Sequence, residues 1–378
     1  MATAAVGTSI GISYVQETSF GVTPAAPTMK ALRLKSGSKF ELKRETFQSK
    51  ELNTSRQVMG MTYGNRSGSA DLPIEFSYAS FDDLIESVMG GTWATNVLKC
   101  GNVKRSFTME QQFPDINLNE QNTGVVMTGF NLSVKPNAVV EGSFSALFKD
   151  QASVQYADDG VTTMAFAATT ITRSAGSFIT DGFAVGDTVT VTGASNALNN
   201  KNIVITTLAA TIMTASAAGF TVDTAKTGVT LAKTLGTPTA ANTNTVFDSF
   251  TGTLLVDGVA TAIATAIDVK LDQSGQANNV LFDATSASVT LSTINTTGSV
   301  VVRFINNTLK KKFLSGTAVD LSFTLGNGSA KSYKFDMSNC KFTSANTDTG
   351  ENELTQTLNY QAIYDVTDAT TLMITRYP

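Results

Sequence analysis

Histidine is absent from this chain of 378 residues, and that absence removes a large part of enzymology. Without imidazole the chain lacks the commonest general base and the commonest transition-metal ligand. Serine–histidine triads, HExxH zinc sites and facial-triad iron sites are all excluded. Cysteine is nearly absent as well. Cys100 and Cys340 stand far apart, in no zinc-binding spacing. They read as two separate thiols in a protein made in the cytoplasm, with a single disulfide as the alternative.

Charge is scarce too. Asp, Glu, Lys and Arg make up 15% of residues, against roughly 25% in ordinary soluble domains. The net charge of −4 gives no basic surface with which to grip nucleic-acid phosphates. No run of about 18 uncharged apolar residues marks a membrane span, and ATAIATAI at 260–267 is too short. The opening MATAAVGTSIG lacks both the charged and the apolar region of a secretory signal, so the protein is expected to be made in the cytoplasm. GMTYGNRSG at 60–68 has neither the Lys nor the strand–helix setting of a phosphate-binding loop. Neither a cofactor nor a metal is expected, and the chain reads as no enzyme. A carboxylate-pair glycosidase needs no histidine, but no pairing of acids is visible.

What fills the space is Thr, Ser, Ala, Asn and Gly beside an ordinary 42% of hydrophobic residues. That mixture suits many short strands joined by polar turns. It also suits a surface largely covered by copies of itself, since interface cores are poor in charge. The text changes character twice, which divides the chain into 1–156, 157–245 and 246–378. The middle segment reads as a small β-module. Strict alternation runs through Asp187–Thr192 and Ile203–Thr206, between the turns Asp181-Gly182, Gly186-Asp187 and Asn199-Asn200.

The outer segments repeat one another. Gly68-Ser69 opens the strand SADLPIEFSY, and SFDDLIESVMGG then predicts a helix. Ser80 is the expected N-cap, with Asp82 and Asp83 in the first turn. Leu84, Ile85, Val88 and Met89 form the apolar stripe, and Gly90-Gly91 the stop. The strand RSFTMEQQF follows. In the last segment Gly298-Ser299 opens VVVRFIN. Asn307 or Thr308 caps the helix NTLKKKFLSG, Gly316 ends it, and VDLSFTLGNGS follows. Further out, the strand–Ser-Gly–strand pattern of 29–42 parallels 264–280, and the strand pair at 128–150 parallels 333–365. The shared order argues for internal duplication.

Glu17–Pro24, MKALRLKSGS, IEFSYASFDDLIESVMGG, SFTMEQQF and TGFNLSVKPNAVVEGSFS together resemble the major tail tube proteins of long-tailed, non-contractile bacteriophages. The resemblance covers most of 10–150 and, more weakly, 246–378. It implies an all-β fold with minor α: two tandem β-sandwich or barrel domains, each with one helix. The inserted β-module, Ig-like or otherwise, resembles those displayed outward on phage virion proteins. It further implies a virion structural protein that self-assembles into stacked rings, the conduit for DNA ejection. Implied partners are the tape-measure protein, the tail terminator and tip proteins, and DNA passing without specific binding; no membrane is implied. Members usually carry one such domain in hexameric rings. Two per chain imply homotrimeric, pseudo-hexameric rings. The reading from a different class is a β-rich adhesin or surface-binding virion module.

Several residues stand out. Within the charged, non-periodic stretch 43–67, Arg44, Glu45, Lys50, Glu51, Arg56, Met59, Met61 and Tyr63 read as an inter-ring arm, or else as a mobile solvent loop. Glu75 and Glu110 would face either a lumen or ordinary solvent. Lys310–Lys312 reads as a solvated helix face rather than a nucleic-acid grip. Asp158-Asp159 reads as a linker turn, and Trp93 as a core or interface anchor.

Overall fold

A computed structural model of the chain describes residues 6–7, 9–24, 27–52, 54, 57–157, 159–216, 219–260, 263–348 and 353–378. The fold is nearly all β, with two short α-helices among the described residues. The first stretch contains β1 (Gly11–Gln16), β2 (Lys30–Ala31), β3 (Lys39–Gln48), β4 (Met61–Glu75), α1 (Asp82–Met89) and β5 (Val97–Lys99). It continues with β6 (Phe107–Phe113), β7 (Leu118–Val134), β8 (Glu141–Phe148) and β9 (Asp150–Ser153). Next come β10 (Gln155–Tyr156), β11 (Met164–Ala167), β12 (Thr170–Arg173) and β13 (Thr188–Thr192). They are followed by β14 (Asn202–Leu208), β15 (Ile212–Ala215), β16 (Asp223–Lys226) and β17 (Thr230–Thr234). The last stretch holds β18 (Gly252–Val256), β19 (Val259–Ala260), β20 (Ala264–Asp272), β21 (Gln276–Asn279), β22 (Ser286–Thr290) and β23 (Asn295–Arg303). It ends with α2 (Thr308–Ser315), β24 (Val319–Leu325), β25 (Ser332–Thr347), β26 (Thr355–Ala362) and β27 (Met373–Tyr377).

Two compact units form, and they follow space rather than chain order. The first combines residues 1–32, 107–123 and 150–241; the second combines 33–106, 124–149 and 242–378.

In the first unit, β1 pairs with both β2 and β6, all antiparallel. The expected β-module is here, as an antiparallel sheet in the order β10-β17-β13-β14-β15-β12-β11-β16. Its alternating Val189, Val191, Ile203 and Ile205 point into a core of its own with Phe166, Phe178, Phe183 and Leu231. Such alternation gives each strand one buried and one wet face. Polar side chains hold the module to β6 and the turn after it. Asn117 Nδ2 donates to Thr230 Oγ1 at 2.8 Å, and Gln155 Nε2 donates to the carbonyls of Ile116 and Asn117 at 2.9 and 2.7 Å.

In the second unit the antiparallel pairing runs β3–β4–β8–β7–β20–β23–β26–β25–β24–β18–β19. The near end of β25 also takes β27, which takes β5. The two repeats therefore share a continuous ladder. They meet where β7 lies against β20, with Phe130 opposite Leu271 and Leu132 opposite Val269. Their core is equally shared. Phe76 lies 6.2 Å from Phe130, 5.5 Å from Tyr333 and 5.7 Å from Phe247, ring centre to ring centre, and Phe130 stacks on Phe144 at 4.8 Å.

The duplication is visible in the pairings themselves. β1–β2, β1–β6 and β3–β4–β8–β7 have counterparts in β18–β19, β18–β24 and β20–β23–β26–β25. One part of the sequence alignment shifts. The outer strand of the first repeat follows the Ser36-Gly37 turn, whereas that of the second precedes Ser274-Gly275. A second part shifts by two residues, since in the ladder Gly298 takes the place of Ala70 and not of Gly68, yet each glycine of the Gly-Ser openings has a physical cause. Gly68 sits opposite Phe148 and Gly298 opposite Tyr360. A Cβ at Gly68 would come within 2.0 Å of the Phe148 ring, and one at Gly298 within 2.4 Å of the Tyr360 hydroxyl.

α1 buries Leu84, Ile85, Val88 and Met89, and Gly90 closes it in the left-handed conformation, as Gly316 closes α2. The cap differs from expectation. Phe81 occupies the N-cap position without a side-chain bond, because the Ser80 hydroxyl is engaged with Ser77 at 2.6 Å and Asn242 at 2.9 Å. Asp82 instead receives the Tyr333 hydroxyl and, at 2.7 Å, the Arg376 guanidinium, tying the first helix to β25 and β27. Trp93, half-buried, lies under Arg376 at 4.6 Å.

Candidate assembly surfaces

β3 and β4 pair over their whole length, but β8 accompanies β4 only from Gly68 to Glu75. Beyond Leu42 and Gly68 the hairpin is therefore a two-stranded ribbon. Every β3 residue from Lys43 to Gln48 is exposed. A lone two-stranded ribbon is marginal in water, and this one also exposes Phe47, Leu52, Val58, Met59, Met61 and Tyr63. The Arg44 guanidinium covers the Tyr63 ring at 4.4 Å, and Ser49 N donates to Gly60 O at 2.8 Å across the ribbon's end. A bulge between the Arg44–Arg66 and Thr46–Tyr63 pairs sets two residues of β4, Gly64 and Asn65, against the single Glu45 of β3. Such bulges twist a ribbon and re-aim its tip. Lys50 and Glu51 lie exposed in the connecting loop, while Arg56 lies outside the described residues.

The second repeat carries a counterpart that the sequence reading passed over: the hairpin of β21 and β22. Its turn exposes Val280, Leu281 and Phe282. The signal was present as an apolar triplet between Asn278-Asn279 and Asp283. This hairpin leans on the base of the first ribbon. Arg66 N donates to Ala284 O at 2.8 Å and Asn65 Nδ2 to Asp283 O at 2.6 Å.

The two singled-out carboxylates lie in unlike surroundings. Glu75 is exposed at the end of β4, opposite Glu141, which is ion-paired with Lys35. The Lys35 ammonium is raised above its ordinary value by its bond to Glu141, with Glu75 adding a smaller effect. Glu110 is fully buried within its own unit and not offered to solvent in a single chain. Gln112 Nε2 and Leu235 N each donate to it at 2.9 Å. Burial nevertheless pushes its carboxyl above the usual range, against the pull of those donors.

The remaining polar groups act structurally. Lys312 is ion-paired with Asp257, and Lys311 is exposed. Asp159 accepts from Val161 N at 2.9 Å and from Thr162 N at 2.6 Å, and these bonds with the Thr162 hydroxyl hold it at about 2. Asp158 lies outside the described residues. Both cysteines are free thiols, and burial pushes Cys340 to about 12. The described residues contain no cluster of three or more His, Cys, Asp or Glu able to hold a metal. A cavity of about 720 Å³ in the second unit is lined by Cys100, Lys104, Gln273 and Tyr364 among others, and its Lys104 donates to the Val289 carbonyl. No described helix is long and apolar enough to cross a membrane.

No curated protein matches the chain. A family model described as phage tail tube protein matches it twice, over residues 7–202 and 188–362. With nearly the whole chain matched in two copies, the protein belongs to the phage tail tube protein family and is a component of the virion tail.

Proposed function

We propose that this chain self-assembles into rings of three copies that stack into the tail tube, the conduit for DNA ejection. The observation that carries the reading is the strand-pairing order found twice in one chain. Three such chains supply six pseudo-equivalent repeats, and a heterologous contact that closes on itself gives a ring. The role is structural rather than catalytic. The segments 1–156 and 246–378 are the two tube-forming halves, and the module at 157–245 faces outward. The β3–β4 ribbon meets the neighbouring ring through Arg44, Glu45, Lys50, Glu51, Met59, Met61 and Tyr63. Glu75 lines the lumen, where a carboxylate repels DNA phosphates and keeps the passage free of adhesion. Tape-measure, terminator and tip proteins are the further partners.

Electron microscopy of the concentrated protein tests this. Uniform rings with threefold averages and six subdivisions, alone or stacked, are expected. Dispersed monomers at every concentration and salt tried would overturn it.

A further inference from the structure

The chain contains, between its own two repeats, a template for the contact between chains. The bulge that interrupts β7 against β8 between Met127 and Gly129 recurs in β25 against β26 between Phe342 and Ser344. This aligns Phe130 with Ala345 and Leu132 with Thr347. It also aligns Ala146 with Tyr360, both buried. Ala146 pairs with Ala70, and Ala70 with Phe40; Tyr360 pairs with Gly298, and Gly298 with Val269. Phe40 is thus the equivalent of Val269, and by the same steps Leu42 is the equivalent of Leu271.

Within the chain those equivalents meet. Val269 lies opposite Leu132 and Leu271 opposite Phe130, and all four are buried. The other half of each relation is unmet. β3 pairs only with β4, and beyond Cys340 β25 pairs only with β26, so among the described residues each keeps an open edge. Along those edges Phe40, Leu42, Ala345 and Thr347 are only half-buried. Open edges with apolar residues invite strand addition unless something covers them.

We infer that the edge of β25 from Ser344 to Thr347 pairs antiparallel with the edge of β3 from Lys39 to Lys43 of a second copy, in the register of the β7–β20 seam. Phe40 then lies opposite Thr347, Glu41 opposite Asn346 and Leu42 opposite Ala345. Lys39 lies opposite Asp348, an attractive pair. The contact is head-to-tail, so each chain uses one edge of each kind. The inference rests on the ring reading above for its closure, and on the seam alone for its register.

Disulfide trapping tests it. Glu41→Cys and Asn346→Cys are both at exposed positions and directly opposed in the inferred register. Under mild oxidation the double variant is expected to give covalent oligomers on non-reducing gels, ending at three chains. Either single variant should give none, and neither should the mismatched pair Glu41→Cys with Lys341→Cys. Rings in the microscope without this cross-link would overturn the seam and leave the tube standing. A cross-link within one chain would overturn it as well. Cross-linked open chains without rings would support the seam and overturn the closed ring. As a second readout, Leu42→Asp is expected to shift the assembled protein to monomer in sedimentation with an unchanged far-ultraviolet circular dichroism spectrum, its melting temperature falling only by what assembly contributes. Retained assembly would count against the seam.

Discussion

Glu110 is the residue whose titration should be felt most. Its carboxyl is raised above the ordinary value by burial, so the folded state holds its proton at pH values where the unfolded chain has lost it. The stability it contributes is fully present below the unfolded value and declines as pH rises through the folded one. Relative to Glu110→Gln, the wild type should therefore lose melting temperature as pH climbs from about 4.5. A difference independent of pH in thermal scans would contradict this. Gly68 offers a steric test. The Phe148 ring leaves no room for a Cβ, so Gly68→Ala should cost about 1–3 kcal/mol in denaturant unfolding, as overpacking does. The thiols should separate in alkylation. Half-buried Cys100 should label in the folded protein, whereas Cys340, at about 12 and enclosed, should not.

At the scale of elements, the ribbon and the module make opposite predictions. Removing 45–65 takes away the exposed apolar tip and should leave rings intact but unable to stack; tubes of unchanged length would refute the arm. Replacing 157–234 with a short Gly/Ser linker should preserve rings and remove a peripheral density from their averages. Because Thr234 and Leu235 bond Glu110, that deletion is best made with Glu110→Gln. Much of this level was legible beforehand. Leu84, Ile85, Val88 and Met89 declared a helix by spacing, and Gly90 and Gly316 declared their stops. The module's strands showed by strict alternation. Ser80 misled because a cap is decided by which neighbour claims the hydroxyl, and Asn242 is far away in sequence. The seam between repeats was illegible for a similar reason. Val269 and Leu271 alternate in the same way whichever strand lies beside them. The burial of Glu110 was hidden too, since the strand that encloses it arrives more than a hundred residues later.

At the scale of the molecule, the shared core sets the cooperativity. Phe76, from the first repeat, packs against Tyr333 and Phe335 of the second at 5.5 and 6.3 Å. Phe76→Ala should cost about 3–5 kcal/mol. It should lower the unfolding transition reported by fluorescence of Trp93, which sits under Arg376 of β27.

The two open edges also have a history within each synthesis. The β3 edge leaves the ribosome about 300 residues before its complement on β25, an interval of roughly 15–60 s at typical translation rates. Until residues near 345 emerge, a nascent chain offers one kind of edge only, and two nascent chains on the same message cannot join. The module, continuous from β10 to β17, can fold within that interval, while the second unit waits for the end of the chain. With the seam proposed above, placing the complementary edge late would delay polymerisation until each copy is whole.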